Sequence, residues 1–300
     1  MLTLGLAGCA SSGASNGSGA GANQASDSAA SAESVGSAES SGKTPVTVSI
    51  VPQRYFVERL AGEFTDISVM VPPGAAPSTY EPRPSQLSAL SNAEAYFRIR
   101  VPFENAWIDR IQSAGGDEMR MVDTAKSIDR SKLPNGKPDP HIWLSPPLVK
   151  RQVRTYTSAL TDLMPEHAQA IRDNADAFIE DLAELDAQLT EILADHEGET
   201  LMTFHPSWGY LSQAYGLEML AIEQGGSEPS AAELTEIIDE GKQANVNVVF
   251  IQPQFARSSA KAIAAELGAE VQRANPLAAD WLANMRTLAE TFAEAFETKR

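Results

Sequence analysis

Cysteine, histidine and long apolar runs are all scarce in this chain of 300 residues. Its single cysteine, Cys9, excludes an internal disulfide framework and a cysteine-rich zinc site. No segment approaches the roughly 18 consecutive apolar residues that a membrane-spanning helix needs. A metal site in this protein would therefore combine acidic residues with histidines, of which the chain has four: His141, His167, His196 and His205.

Basic residues are also few. Lys and Arg number 23 against 40 Asp and Glu, which gives a formal net charge of −17. Nucleic-acid binding depends on clustered Lys and Arg that neutralise phosphates, so this charge balance argues against a nucleic-acid partner. With 43% hydrophobic residues the chain can bury a sizeable core, and its length predicts two domains or one large one.

The lone cysteine lies in a context typical of bacterial lipoproteins. The string Leu-Ala-Gly-Cys that ends at Cys9 looks like a lipobox, in which a peptidase cleaves before the cysteine and the sulfur carries the lipid. Of the 34 residues in 10–43, 11 are Ser, 9 are Ala and 6 are Gly, and such a segment buries too little surface to offset its ordering entropy. We predict that residues 1–44 are a signal remnant, lipobox and tether.

Short strands alternate with helices on both sides of a long helical segment. This alternation predicts an α/β fold with parallel sheets. We expect an N-terminal lobe over 45–146, a linking helical segment over 147–197 and a C-terminal lobe over 198–300. The predicted strands are 46–51, 67–71, 96–99, 119–122, 201–204, 218–222, 246–251 and 270–272.

The linking segment carries a single apolar stripe. Its apolar residues recur at steps of four and three, which puts them on one face of a long helix and leaves Asp and Glu on the other faces. A coiled-coil seam has similar spacing, but the buried side of a helix packed within its own protein is the favoured interpretation. The stripe comprises Ile171, Ala175, Phe178, Leu182, Leu185, Leu189 and Ile192.

Two of the four histidines stand where ligands bind in open parallel sheets, beyond the carboxyl ends of strands and between lobes. His205 directly follows the strand predicted at 201–204, and His141 lies in a proline-stiffened loop before the long helix. We predict that these two imidazoles ligate a metal ion. His167 and His196 lie in charged helical surroundings and are expected to be solvated.

Several loops resemble those of the solute-binding proteins of zinc and manganese ABC importers. Residues 74–85 look like the family's first ligand loop, 139–143 like the second and 204–210 like the third. Residues 250–255 and 275–277 resemble its last strand regions. The resemblance implies two similar parallel-sheet lobes joined by one long rigid helix, with the metal cleft between the lobes. It also implies a binding protein rather than an enzyme.

Members of this family usually hold the metal with three histidines and one acid. Here Ser78 stands in place of a usual His and Asn275 in place of the usual Asp, and both are poor ligands for a dication. We therefore expect replacement ligands among the acids near the cleft, in the order Glu223, Glu81 and Asp280. For Asp280 a helix N-cap is the alternative interpretation.

Three classes of function are open. The first, which we predict, is a receptor lipid-anchored on the extracytoplasmic face of the cell membrane that captures a divalent cation and delivers it to ABC permease subunits. Two imidazoles favour Zn²⁺, with Mn²⁺ next. The second is a degenerate family member, with weak or no metal binding, that binds another ligand or partner. The third is a zinc hydrolase, which is disfavoured because the chain has no His-Glu-x-x-His helix and no metal-bridging carboxylate cluster.

Overall fold

The computed structural model of the protein describes residues 42–223, 229–255 and 257–298. The predicted lipobox at Cys9 and nearly all of the predicted tether lie outside these residues, so both stay predictions. Within the described ranges, no helix has the length and apolar character needed to cross a bilayer.

The first lobe is a four-stranded parallel sheet in the order β2-β1-β3-β4. Val46 and Val48 are buried on one face of the central strand and Thr47 is buried on the other, as expected for a sheet covered on both faces. Proline at the first position of α2 and α3 suits their starts, because that N–H has no helical partner. The elements are β1 (Thr44–Val48), α1 (Val51–Ala61), β2 (Thr65–Val69), α2 (Pro84–Ala89), β3 (Ala95–Arg98), α3 (Pro102–Gly115) and β4 (Arg120–Asp123).

The second lobe repeats this topology. Its four parallel strands lie in the order β6-β5-β7-β8, so the first strand of each lobe is central and pairs with the second and third. The predicted similarity of the lobes is confirmed, although α6 was not expected. The elements are β5 (Thr200–Thr203), α6 (Gly209–Ala214), β6 (Glu218–Ala221), α7 (Ala231–Gln243), β7 (Val248–Ile251), α8 (Arg257–Leu267), β8 (Glu270–Arg273) and α9 (Trp281–Glu297).

Two helices occupy the linking segment, α4 (Pro146–Leu163) and α5 (Ala168–Leu193). They are separated at a short 3-10 turn that begins with Pro165, since proline has no N–H to continue the α4 ladder. The predicted long helix is α5, whose 26 residues span about 39 Å. Its stripe is buried as predicted, except that Ile192 is only half-buried and Leu193 takes the last buried position.

The α5 helix joins the lobes through packing rather than as a free connector. Phe178 of α5 lies 6.1 Å from Phe56 of α1, and Phe56 lies 5.1 Å from Trp281 of α9, measured between ring centroids. One apolar core therefore runs from the first sheet through α4, α5 and α9 to the inner face of the second sheet. A smaller cluster fills the space under α7 and α8.

Two expectations about histidines change with the structure. His196 is buried, with its ring 5.4 Å from that of Phe296, so the prediction that it is solvated is wrong. The reason is a tertiary contact, because α9 packs against the short 3-10 turn after α5 in which His196 lies. His167 is half-buried and stacks on Phe64 with 3.9 Å between centroids.

Candidate metal centre

The two predicted histidines lie in one cleft between the lobes. His205 is the second residue after β5, and His141 lies in the loop just before α4. Their ring centroids are 5.2 Å apart and the rings are nearly perpendicular, at 76°. The cleft has a free volume of about 60 Å³, and most of its wall is apolar. Its lining residues are Ala76, Pro77, Ser78, Val101, Pro102, Leu133, Pro140, His141, Trp143, His205, Ser207, Gln254, Phe255, Pro276 and Leu277.

His141 is oriented by Asp139, two residues earlier. Oδ1 of Asp139 lies 2.6 Å from His141 Nδ1 and also accepts the backbone N–H of His141 at 2.9 Å. Because the carboxylate accepts from Nδ1, the tautomer of the neutral ring that fits this contact has its lone pair on Nε2. Glycine at Gly209 leaves room for this carboxylate, since a Cβ there would lie 3.1 Å from Asp139 Oδ2.

His205 has an equivalent partner in Glu223. Oε2 of Glu223 lies 2.7 Å from His205 Nδ1, and both side chains are largely buried. Burial lowers the pKa of His205, and the hydrogen bond to Glu223 opposes that effect. The ring is thus held in the neutral form that binds metals, with Nε2 unprotonated.

Neighbouring side chains fix the position of His205. The amide of Gln252 accepts the His205 backbone N–H at 3.2 Å and donates to the His205 carbonyl at 2.7 Å. Phe255 stacks on the imidazole with 4.9 Å between centroids. These contacts restrict both the backbone and the ring, which reduces the conformational freedom lost when a ligand binds.

A pair of tryptophans ties the His141 loop to the second lobe. The Trp143 indole N–H donates to the carbonyl of Pro276 at 2.7 Å, and the Trp281 indole N–H donates to the carbonyl of Trp143 at 2.8 Å. Trp143 and Pro276 both line the cleft. The two walls that carry the imidazoles are therefore hydrogen-bonded to each other.

The predicted replacement acids have different positions. Glu223 contacts Nδ1 of His205, which leaves the other ring nitrogen, Nε2, for a metal ion. Glu81 is exposed and is not among the residues that line the cleft. Asp280 is exposed and caps α9, accepting the backbone N–H of Ala283 at 3.3 Å. Direct coordination by these acids stays a prediction.

The two positions that depart from the family pattern also differ from each other. Ser78 lines the cleft, whereas Asn275 is not among the lining residues, and its Oδ1 accepts the backbone N–H of Leu277 at 3.0 Å. Among the described residues, no group of three or more His, Cys, Asp or Glu side chains is arranged to hold a metal ion. The described part of the cleft thus offers two imidazoles, each backed by a carboxylate.

Sequence reasoning assigned no role to Asp139. The signal for it was the spacing Asp-Pro-His, which puts a carboxylate two residues before a predicted metal ligand. Metal-binding histidines commonly donate their second N–H to a carboxylate, so both dyads fit a site for a metal ion.

Two α/β lobes that share a core, with paired imidazoles in the cleft between them, define a solute-binding protein of the metal-receptor type. The family model described as zinc-uptake complex component A, periplasmic (ZnuA) matches residues 46–295. The chain therefore belongs to the ZnuA family, as the resemblance of its loops predicted.

Individual proteins agree with this assignment. The chain is 25% identical over 258 residues to the high-affinity zinc uptake system protein ZnuA of Bacillus subtilis (strain 168), covering 80% of this chain and 81% of that one. It is likewise 25% identical to the zinc-binding lipoprotein AdcA of Streptococcus pneumoniae, covering 80% of this chain and 51% of AdcA. A crystal structure of ZnuA superimposes with a TM-score of 0.81 at 42% identity, covering 84% of this chain and 99% of that one.

Proposed function

We propose that this protein is the receptor of an ABC importer and that it captures a divalent cation, zinc in preference to manganese, between His141 and His205. The observation that carries the proposal is the pair of imidazoles in one cleft, each with Nδ1 occupied by a carboxylate. Both Nε2 atoms are then available to a cation that bridges the two lobes.

The carboxylates support binding in two ways. They hold each ring in the tautomer that a metal requires, and their negative charge raises the basicity of the imidazole. The mostly apolar wall of the cleft lowers the local dielectric, which strengthens the attraction between the cation and these groups. The remaining coordination positions are then filled by oxygen ligands or water, as a four-coordinate zinc ion requires.

We also propose that Cys9 carries a lipid that anchors the receptor on the extracytoplasmic face of the membrane, where it meets the permease subunits. The support is the lipobox-like string before Cys9 and the Ser/Ala/Gly-rich segment after it. The family description as periplasmic and the description of AdcA as a lipoprotein agree with this location.

The direct test is metal affinity, measured by competition with a chromophoric chelator, together with the melting temperature. We expect wild type to bind one zinc ion and to melt higher with zinc, because the metal binds only the folded state. His141→Ala and His205→Ala should each lose at least about tenfold in affinity, or ~1.4 kcal/mol, and most of the thermal shift.

His167→Gln is the matched control, because His167 stacks on Phe64 and is not among the cleft-lining residues. His196 is unsuitable because it is buried. Wild-type affinity in both cleft variants would refute the site. A wild type that binds no zinc would favour the degenerate family member, and hydrolytic turnover with zinc would favour the hydrolase.

A further inference from the structure

The side-chain amide of Gln254, in the wall of the cleft, has one oxygen without a hydrogen-bond partner among the described residues. Its side chain lines the cleft together with His141 and His205. Its Nε2 donates to Asn275 Oδ1 at 3.4 Å, whereas its Oε1 is buried and accepts no hydrogen bond from the described residues. Buried carbonyl oxygens nearly always have a donor, a water or a cation as partner, and Gln254 is the residue with such an oxygen that also lines the cleft beside the two histidines.

The orientation of this amide follows from its neighbours. The backbone N–H of Leu277 can only donate, and it lies 3.0 Å from the Asn275 side chain, so the atom that faces it is the Asn275 oxygen. That same oxygen is the one nearest Gln254, which must present its NH₂ group in return. The Gln254 atom without a partner is therefore the carbonyl oxygen, Oε1. If the Gln254 amide were rotated so that Oε1 faced Asn275 Oδ1, two acceptors would lie against each other.

The topology brings Gln254 close to His205. Strands β5 and β7 are neighbours in the second sheet, with Thr203 paired to Phe250. His205 is the second residue after β5, and Gln254 is the third after β7, at the same carboxyl edge of the sheet. The residue next to Gln254, Phe255, stacks on the His205 ring.

We propose that Gln254 Oε1 is the third protein ligand of the cation held by His141 and His205. The inference rests on the proposed metal-binding function and adds a selectivity determinant to it. An amide oxygen is a neutral, hard donor, which suits Mn²⁺ better than it suits Zn²⁺. Asn275 is then a positioning residue, since it directs the amide without touching the metal. The site therefore discriminates less strongly against manganese than three imidazoles do.

The test compares Gln254→Met, which keeps the size of the side chain but removes the amide, with Gln254→Glu, which turns the oxygen into a charged ligand. Zn²⁺ and Mn²⁺ affinities are measured by indicator competition. We expect Gln254→Met to lose about tenfold for Mn²⁺ and less for Zn²⁺, and Gln254→Glu to bind both ions more tightly than wild type. The visible spectrum of bound Co²⁺ should change in both variants, because the donor set changes.

Gln243→Met is the matched control, because Gln243 is exposed on α7 and is not among the cleft-lining residues. The inference is overturned if both Gln254 variants keep wild-type affinities, the wild-type Zn²⁺/Mn²⁺ ratio and the wild-type Co²⁺ spectrum. If the Gln254 variants bind like wild type while His141→Ala loses metal affinity, the proposed function stands without Gln254. If wild type binds neither ion, the proposed function and this inference both fail.

Discussion

A buried carboxyl group in the first lobe should make folding stability depend on pH. Glu104 lies in the first turn of α3 and is fully buried. Its Oε1 accepts the Ile99 backbone N–H at 3.1 Å and the hydroxyl of Ser49, while its Oε2 has no hydrogen-bond partner among the described residues. Burial raises the pKa of Glu104 from 4.5 to about 7, against the opposing effect of these hydrogen bonds.

The sign of the effect follows from proton binding. Between pH 4.5 and 7 the folded state binds a proton at Glu104 that the unfolded state has lost, so stability falls as pH rises. The contribution is fully present below pH 4.5 and is lost as pH rises through about 7. The two pKa values differ by about 2.5, and at ~1.4 kcal/mol per pKa unit this amounts to ~3.5 kcal/mol of unfolding free energy.

The assay is urea denaturation followed by tryptophan fluorescence at pH 5, 6, 7 and 8, for wild type and Glu104→Gln. The amide keeps an oxygen for Ile99 and Ser49 but cannot ionise, so the variant should match wild type within ~1 kcal/mol at pH 5 and exceed it by ~2–3 kcal/mol at pH 8. Glu94→Gln, at an exposed carboxylate of the same lobe, should run parallel to wild type. Parallel profiles for Glu104→Gln as well would refute the reasoning.

Three further predictions concern the site, the anchor and the movement of the lobes. Glu223→Gln should weaken zinc binding ~10-fold or more in chelator competition, because His205 loses its anionic partner, whereas Glu218→Gln, at an exposed strand residue, should not. Cys9→Ala should move the protein from the membrane fraction to the soluble fraction; unchanged membrane association would contradict the lipid anchor. Zinc should change the radius of gyration in solution scattering very little, since the lobes share a core across α5; a large compaction would indicate a flexible hinge.

Much of the fold follows from local pattern. The strands begin and end within about three residues of their predicted positions, because each is a short, mostly apolar run that alternates with a helical stretch along the chain. The stripe of α5 follows from helical periodicity alone, since every residue three or four positions on returns to the same face. His205 was predicted from chain direction, which sets the carboxyl edge of a parallel sheet, and His141 from its proline-stiffened loop before the long helical segment.

Other features were decided by contacts between residues distant in sequence. His196 lies in a charged helical stretch yet is buried, because α9 packs over it from 100 residues away on the chain. Ile192 and Leu193 are adjacent apolar residues, and the packing around α5 selects which one is buried. Such contacts cannot be predicted from the neighbouring residues in the sequence.

The features of the site also fall into those predicted from the sequence and those set by tertiary contacts. The sequence by itself predicted that His141 and His205 face one cleft, and the family resemblance implied that Ser78 and Asn275 stand where usual ligands are found. Only the tertiary structure decided what the acids do: Glu223 and Asp139 take the Nδ1 atoms of the two rings, while Asp280 caps a helix. A carboxylate's role depends on which atom it reaches within about 3 Å, and distances that short are set by the packing of the whole fold rather than by spacing along the chain.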